Sequence, residues 1–361
     1  MALGTARTEQ NGLARKVIAM LIRNSWYVAA WSSELGNGQL VGRMIVNTPL
    51  TLYRTTDGKI AVLDGRCAHR HMPLCHGSVE GDNVICRYHG LQYGPNGACV
   101  RIPGQKKVPK SLRVQSYPAV ERYGAVWVWP GDEKQANEAL IPVCDKLDVS
   151  GANGHMFYFN IKSNYLYLND NLSDLLHQAY LHNPSFGGDT QSLGETIPNV
   201  EYDGDKMMVR WDWTGVPAPG QFKNLGHIDD IADGWNHSIF IAPSFYINEV
   251  GFARNGTGGK ESKLPAGDGK LGLTIYQLIT PETERSTHFF KVVHVDWPKE
   301  IMGALHDFIR DVNEEDLWAC EEQQRMSDLD PDHPMLTIPT DRAVIEMRKV
   351  VQDLYDAEIV A

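Results

Sequence analysis

Two short segments of the chain each combine one cysteine with one histidine. They are Cys67-Ala68-His69 and Cys86-Arg87-Tyr88-His89. In a C-x-H…C-x-x-H pattern, two thiolates can bind one iron and two imidazoles the other iron of a [2Fe–2S] cluster. Neutral imidazole ligands raise the reduction potential well above that of an all-cysteine cluster. The pattern therefore predicts a centre that accepts and passes on single electrons.

A structural zinc site is the alternative interpretation of the same four residues. Zinc sites of the Cys₂His₂ type usually pair cysteine with cysteine and histidine with histidine, across a gap of about two to five residues. Each segment here mixes the two ligand types instead. The iron–sulfur interpretation is therefore favoured.

A second pair of candidate ligands, His177 and His182, lies in a segment with helical character. At about 100° per residue, positions five apart do not share a helix face, so we expect the helix to bulge or to end before His182. Ferrous iron that activates O₂ is bound by two histidines and one carboxylate, with positions left open. The carboxylate must come from elsewhere, and the residues alone leave six candidates open on one late predicted helix: Asp311, Glu314, Glu315, Asp316, Glu321 and Glu322.

Both groups of residues resemble the metal motifs of one known family. Cys67-Ala68-His69-Arg70 and Cys86-Arg87-Tyr88-His89-Gly90-Leu91 resemble the Rieske domain of ring-hydroxylating and O-demethylating oxygenases. The run Asn171-Leu172-Ser173-Asp174-Leu175-Leu176-His177, continued to His182, is similar to the mononuclear-iron signature of the same oxygenases. The resemblance implies the following ligands: Cys67, His69, Cys86 and His89 for the [2Fe–2S] cluster, and His177, His182 and Asp316 for a mononuclear Fe(II). It also implies that Asn171 lies close to the iron.

The same resemblance implies a function. It extends from about Met20 to residue 355 and is of the vanillate O-demethylase, toluenesulfonate methyl-monooxygenase and dicamba monooxygenase type. Such a protein is the terminal oxygenase component of a multicomponent system that uses O₂ for O-demethylation or hydroxylation of a small aromatic substrate, for example an aromatic acid. NAD(P)H acts only through a separate ferredoxin or flavin reductase. In agreement, no G-x-G-x-x-G dinucleotide motif accompanies a predicted strand.

Asp174 is the residue that connects the two metals in the resembled family. There an aspartate links the cluster ligand of one subunit to the iron ligand of its neighbour, which implies a head-to-tail homotrimer. Asp174 lies three residues before His177, so we expect both side chains on one helix face and a hydrogen bond between them.

Two other functions fit the same metal motifs. An aromatic-ring cis-dihydroxylating dioxygenase of the phthalate dioxygenase type would use the same ligands, since the shape of the pocket decides where oxygen is inserted. A non-catalytic Rieske electron carrier or sensor would bind the cluster but no catalytic iron. Product analysis separates the first alternative, and iron content separates the second.

The surrounding elements predict an α+β protein. Residues 21–135 contain short β-like runs broken by turns, such as Asp57-Gly58, and are predicted to form an all-β Rieske domain. Residues 136–361 are predicted to form a catalytic domain of helix-grip type, with an antiparallel sheet and helices packed on it. Expected helices span residues 168–180, 300–326 and 342–357, and expected strands include residues 238–247, 271–279 and 288–295. Residues 1–20 are expected to form a flexible arm.

Composition excludes several other classes of protein. The net charge of −11 argues against a general role on nucleic acid, which requires a basic face. No run reaches the roughly 18 apolar residues of a membrane span, and six cysteines in 361 residues do not suggest a secreted disulfide framework. We therefore expect a cytoplasmic protein with no membrane partner. Residues 101–122 carry a local excess of basic side chains, which suits docking of an acidic redox partner.

Overall fold

The computed structural model describes residues 20–144, 147, 154–187, 190–204, 206–295 and 302–360. The chain divides into two compact units. The first consists of Leu21–Val143 and Thr280–Glu284, and the second of the described residues of Met1–Met20, Cys144–Ile279 and Arg285–Ala361. The predicted arm, apart from Met20, lies outside the described residues. The domain limits inferred from the sequence remain a prediction.

The first unit is built from ten short antiparallel strands in its described residues. These form three sheets with the orders β1-β10-β9, β2-β3-β4 and β5-β6-β7-β8. The strands are β1 Tyr27–Trp31, β2 Leu40–Ile45, β3 Thr48–Arg54, β4 Ile60–Asp64, β5 Ser78–Glu80, β6 Asn83–Ile85, β7 Gln92–Tyr93, β8 Cys99–Arg101, β9 Ala119–Arg122 and β10 Ala125–Val128. The predicted hairpin at Asp57-Gly58 joins β3 to β4, and Gly58 adopts the positive φ of 85° that this turn requires.

Two hydrophobic clusters stabilise this unit. One packs the β1–β4 region around Leu50, Leu52 and Val126. The other contains Cys67 and Cys86 among buried apolar side chains such as Leu74 and Tyr93. The second cluster thus forms the base on which the two cysteine-bearing loops rest.

The second unit contains one seven-stranded antiparallel sheet with the order β11-β17-β16-β15-β14-β13-β12. Its strands are β11 Gly154–Ile161, β12 Asn199–Asp203, β13 Lys206–Pro217, β14 Ile231–Ile241, β15 Phe245–Arg254, β16 Lys270–Thr283 and β17 Ser286–His294. The last residues of β16 belong to the first unit, where the Thr280 hydroxyl donates to the Val28 carbonyl at 2.8 Å.

Five α-helices complete the described part of the second unit. They are α1 Tyr165–Ser173, α2 Asn183–Phe186, α3 Gly220–Gly226, α4 Met302–Leu329 and α5 Arg342–Val360. Helix α1 packs against both α4 and α5. One stripe of α4 is buried at helical spacing and consists of Ile309, Asn313, Asp316, Cys320 and Gln324. No helix in the described residues is long and apolar enough to span a membrane.

Two predicted elements differ from the structure. The helix expected over residues 168–180 ends at Ser173, because Asp174 leaves helical geometry with φ −91° and ψ 91° and caps a short 3₁₀ turn, Leu175–Ala179. The strand expected over residues 238–247 is the end of β14 and the start of β15. Pro243 lies at the break, since its nitrogen cannot donate to a strand ladder.

Candidate metal centres and pocket

The two cysteine-bearing loops of the first unit share one backbone pattern. In each loop the cysteine amide donates to the carbonyl five residues later, and the amide four residues later donates back to the cysteine carbonyl. The bonds are Cys67 N to Met72 O (3.0 Å), His71 N to Cys67 O (2.9 Å), Cys86 N to Leu91 O (2.8 Å) and Gly90 N to Cys86 O (2.9 Å). The residue at the fourth position has a positive φ in both loops, 55° at His71 and 70° at Gly90. The loops therefore form two matching halves of one site.

Thiols and imidazoles occupy different levels of this site. Cys67 and Cys86 are each 1 % exposed, and burial is the main cause that raises the pKa of the Cys86 thiol, with Cys67 beside it adding to the effect. The rings of His69 and His89 are exposed and lie side by side, with centroids 4.7 Å apart. Two inner sulfurs and two outer nitrogens fit a cluster with one buried and one exposed iron.

Tyr93 adds a contact to the inner level. Its phenol oxygen lies 3.1 Å from the Cys67 sulfur. Burial raises the pKa of Tyr93 far above its ordinary value, so the phenol stays protonated and can donate to the sulfur. Hydrogen bonds to the sulfurs are one of the factors that set the potential of such clusters.

In the second unit His177, His182 and Asp316 converge. One ligand atom from each lies within 4.8 Å of the others. Asp316 Oδ1 is 3.4 Å from His177 Nε2 and 3.2 Å from His182 Nε2. Two imidazole nitrogens and one carboxylate oxygen on one side of a cavity fit a divalent iron with open positions.

Each imidazole is fixed by an acceptor on its far nitrogen. His177 Nδ1 contacts the main-chain carbonyl of Asp174, and His182 Nδ1 lies 2.7 Å from Glu315 Oε2. Glu315 also accepts from the Ser185 hydroxyl at 2.8 Å. An N–H on Nδ1 leaves the Nε2 lone pair of both rings free for a metal.

The carboxylate of Asp316 is also held in place. The amide nitrogen of Asn171 donates to Asp316 Oδ1 at 3.0 Å. Although burial by itself raises the pKa of Asp316, the two adjacent imidazoles hold it well below its usual range. For His182 the effects are reversed. Burial by itself lowers its pKa, but the carboxylates of Asp316 and Glu315 outweigh burial and raise the pKa above its usual range. The site therefore keeps Asp316 ionised and ready to bind a cation.

A cavity adjoins these three residues. Its apolar wall comes from the sheet, from helices α1 to α4 and from the 3₁₀ turn after α1, with Leu172, Leu175, Phe186, Phe222, Val250, Leu273, Ile275, Phe308, Ile309 and Val312. Its polar groups, apart from the candidate ligands, are Gln178, Asn236, Asn248, Gln277 and Lys291. Burial lowers the pKa of Lys291 to about 8.

The structure corrects the expected contact between the Asp174 carboxylate and the His177 imidazole. The helix ends before Asp174, so its carboxylate does not share a helix face with His177 and instead accepts from the Leu176 amide at 3.0 Å. Its main-chain carbonyl contacts the imidazole instead. Burial raises the pKa of this half-buried carboxyl group.

The six candidate acids on α4 differ in burial and in the groups that they contact. Asp316 is 7 % exposed and faces both imidazoles, and Glu315 supports one of them. The others are engaged away from the site: Asp311 and Glu314 with Arg310, Glu322 with Arg325, and Glu321 with the Lys162 amide.

Sequence reasoning missed the supporting contacts of Glu315 and Tyr93 and the position of Lys291 in the cavity wall. Only Lys291 carried a usable signal. It is a single charge inside the strongly apolar run His288-Phe289-Phe290-Lys291-Val292-Val293, and a lysine is rarely buried without a reason.

Comparison with known proteins gives the family. Residues 25–118 match the Rieske [2Fe-2S] domain, and residues 161–357 match the vanillate O-demethylase oxygenase C-terminal domain. The toluene-4-sulfonate monooxygenase system iron-sulfur subunit of Comamonas testosteroni is 34% identical, over 94% of this chain and 98% of that protein. The vanillate O-demethylase oxygenase subunit of a Pseudomonas strain is 33% identical, over 94% and 96%. A crystal structure of dicamba monooxygenase bound to dicamba superimposes with a TM-score of 0.82, at 28% identity, over 94% of this chain and 99% of that one.

Fold, centres and relatives together define an enzyme, the terminal oxygenase component of a multicomponent Rieske non-haem iron monooxygenase. Within that class, the chain belongs to the family with the vanillate O-demethylase oxygenase C-terminal domain. The predicted class of function and the predicted order of an all-β Rieske domain followed by an α+β domain with an antiparallel sheet are confirmed. The non-catalytic carrier is not supported, because the second half of the chain matches a domain of oxygenases.

Proposed function

We propose that this oxygenase component carries out the O₂- and NAD(P)H-dependent O-demethylation or hydroxylation of a small aromatic acid in the cytoplasm. The observation that carries the proposal is the convergence of His177, His182 and Asp316 beside an apolar cavity. The relatives named for toluene-4-sulfonate and vanillate support an aromatic acid as substrate.

The ligand assignment is part of the proposal. Cys67 and Cys86 would bind one iron of the [2Fe–2S] cluster, and His69 and His89 the other. What supports this is the buried position of the thiols and the outer position of the two adjacent rings. His177, His182 and Asp316 would bind the mononuclear Fe(II).

The chain's own groups prepare the reaction. When bound, the mononuclear iron supplies the activation of O₂ with electrons delivered through the cluster. Glu315 and the Asp174 carbonyl hold the imidazoles so that both Nε2 atoms face the ion, and Asn171 orients the Asp316 carboxylate. The apolar wall of the cavity excludes water from the substrate.

The chemistry balances with one reduced nicotinamide. A methoxyarene, O₂, NADH and a proton give a phenol, formaldehyde, NAD⁺ and water, through a hemiacetal that releases formaldehyde. A separate ferredoxin or flavin reductase supplies the electrons, since the relatives are components of multicomponent systems. We further propose a homotrimer in which the Asp174 carboxylate connects the cluster of one subunit with the iron of the next.

The proposal is tested by counting iron and acid-labile sulfide in the purified holoenzyme and in His177→Ala. An oxygenase contains two cluster irons plus one mononuclear iron per chain, and the variant keeps the cluster spectrum but loses one iron and all substrate turnover. Two irons in the wild-type protein, or turnover by the variant, would contradict the proposed iron site.

A further inference from the structure

Lys291 is a buried lysine that forms no ion pair in the described residues, although Asp316 acts on its charge electrostatically and favours the protonated form. It lies on β17, is 5 % exposed and lines the cavity beside the candidate iron ligands. The only hydrogen-bond partner of its ammonium group in the described part of the chain is a neutral amide oxygen, Asn313 Oδ1, at 2.5 Å. An ammonium group has three donors, so two remain for another acceptor.

The surroundings of Lys291 compensate for its charge only in part, through the electrostatic effect of Asp316 and the face of one aromatic ring. Its Nζ lies 5.8 Å from the centre of the Phe289 ring, and its partner on the neighbouring strand β11 is Phe157. Burying an ammonium among apolar groups is costly unless an anion or several acceptors compensate for the lost water. A single amide oxygen compensates for only part of this cost.

The nearby carboxylates serve the metal site. Asp316 and Glu315 contact the imidazoles of His182 and, for Asp316, also of His177. With a divalent ion bound there, these two negative charges balance the charge of the ion. Lys291 then holds one uncompensated positive charge in the cavity.

The cavity also presents unpaired amide groups. Asn236 Oδ1 and Gln277 Oε1 are buried without a hydrogen-bond partner among the described residues. The amide nitrogen of each side chain does have a partner. Asn236 Nδ2 donates to Gln178 Oε1 at 2.8 Å, and Gln277 Nε2 donates to Asn248 Oδ1 at 2.7 Å. Because the oxygen and nitrogen of an amide can exchange places by rotation, each group can turn either a donor or an acceptor toward a ligand.

We propose that Lys291 is the residue that binds the anionic group of the substrate, so that this enzyme selects arene carboxylates or sulfonates over neutral arenes. In the cavity the ammonium of Lys291 pairs with the anionic group of the substrate. Asn236, Asn248 and Gln277 offer hydrogen bonds to the other polar substituents of the substrate. The apolar wall holds the ring. The inference rests on the proposed function, since it concerns the same cavity.

The experiment compares matched anionic and neutral ligands on the holoenzyme. Isothermal titration calorimetry is run with 3-methoxybenzoate against 3-methoxybenzamide, and with 4-methylbenzenesulfonate against methyl 4-tolyl sulfone. The wild-type enzyme is expected to bind the anion of at least one pair roughly tenfold or more tightly, as one charged hydrogen bond provides. Lys291→Met is expected to weaken that anion by about 10- to 100-fold and its neutral partner by less than about threefold.

A purely structural role for Lys291 predicts a different result. In that case Lys291→Met weakens both members of a pair equally or lowers the iron content, and Lys291→Arg does not restore the preference for the anion. Either finding would overturn the inference. The inference is also overturned if the wild-type enzyme binds the neutral member of each pair as tightly as the anion, or binds neither member. Since the wild-type comparison needs no variant, a poorly folded Lys291→Met does not remove the test.

The two proposals fail in distinguishable ways. Wild-type enzyme that contains the mononuclear iron and oxidises aromatic acids, while Lys291→Met weakens the anion and its neutral partner equally, retains the proposed function and loses the Lys291 assignment. Wild-type enzyme that lacks the mononuclear iron would contradict the proposed function, whichever of the paired ligands it binds more tightly.

Discussion

Individual residues hold the candidate iron ligands in place through hydrogen bonds to the ligand side chains. Glu315 is the clearest case, because it accepts from both His182 and Ser185. The side chain of its neighbour Glu314 is 66 % exposed and, within the described residues, pairs with Arg310 alone. Two adjacent acids on one helix therefore have very different expected roles, which makes them a matched pair for mutation.

Glu315→Ala is expected to lower affinity for the mononuclear iron by about 10- to 100-fold, since loss of a group that orients a ligand imidazole typically has that effect. The measurement is iron per chain after dialysis against a competing chelator, with the visible spectrum reporting the intact cluster. Glu314→Ala is the control and should retain iron like the wild type. Equal retention in both variants would show that Glu315 does not support His182.

Asp174→Asn is expected to keep both metals but to abolish product formation. Asparagine caps as well as aspartate, so the contact with the Leu176 amide is preserved, and the main-chain carbonyl still holds His177. Single-turnover product yield and the rate at which substrate and O₂ reoxidise the reduced cluster measure the effect, with exposed Glu195→Gln as control. Wild-type product formation by Asp174→Asn would remove the connecting role from this carboxylate.

Secondary-structure elements bring together ligands that are distant in sequence. The local loops around Cys67 and Cys86 could be predicted from spacing alone, because each pair of ligands lies within a few residues. Asp316 could not be chosen from its residue type, since it is one of six candidate acids on the same helix and only the packing of α4 buries one of them against the imidazoles. The resemblance to a family supplied that choice. The sequence prediction also placed the end of this helix at residue 180 instead of Ser173, because Asp174 ends the helix and caps the following turn.

The interface of α1 with α5 contains a buried ion pair. Arg348 donates to both carboxylate oxygens of Asp170, with Nε at 2.6 Å from Oδ1, and the two side chains are 14 % and 18 % exposed. Helix α1 continues into the turn that carries His177, so this pair stabilises the element that positions a candidate ligand.

Arg348→Met is expected to destabilise the fold by about 3–5 kcal/mol, because it leaves the carboxylate of Asp170 buried without its partner. Arg342→Met on the same helix removes a pair with Glu346 in which the arginine is 63 % exposed, and should cost less than about 1 kcal/mol. Thermal and denaturant unfolding compare the two. Adding Asp170→Leu to Arg348→Met should recover stability, and a loss no larger than that of Arg342→Met would contradict the account.

At the scale of the whole molecule, electrons must arrive from another protein. The chain has a net charge of −11, yet Arg101, Lys106, Lys107 and Lys110 are exposed and make no ion pair in the described residues. Arg122, which the sequence also assigned to this basic segment, is bound to Glu138 at 2.9 Å and does not belong to the free surface. Such a local basic surface on an acidic protein suits an acidic redox partner.

Charge reversal at Lys106 and Lys107 to glutamate is expected to slow reduction of the cluster by the reductase and to flatten its dependence on salt, because exposed charges steer association mainly at low ionic strength. Stopped-flow reduction across a range of salt concentrations measures this. Lys59→Glu, at a lysine paired with Asp57 on the same unit, is the control. An unchanged salt dependence in the Lys106 and Lys107 variant would place the docking surface elsewhere.

Above all, we propose that this protein inserts one oxygen atom from O₂ into a small aromatic acid. It is tested most directly by turnover of a panel of methoxy- and methyl-arene carboxylates with NADH and a generic reductase, recording O₂ uptake, formaldehyde and products together. We expect substrate-dependent O₂ uptake matched by formaldehyde and phenol from a methoxyarene, or by a hydroxymethyl product from a methylarene. Formation of cis-diols, or O₂ uptake that yields only peroxide across the whole panel, would contradict it.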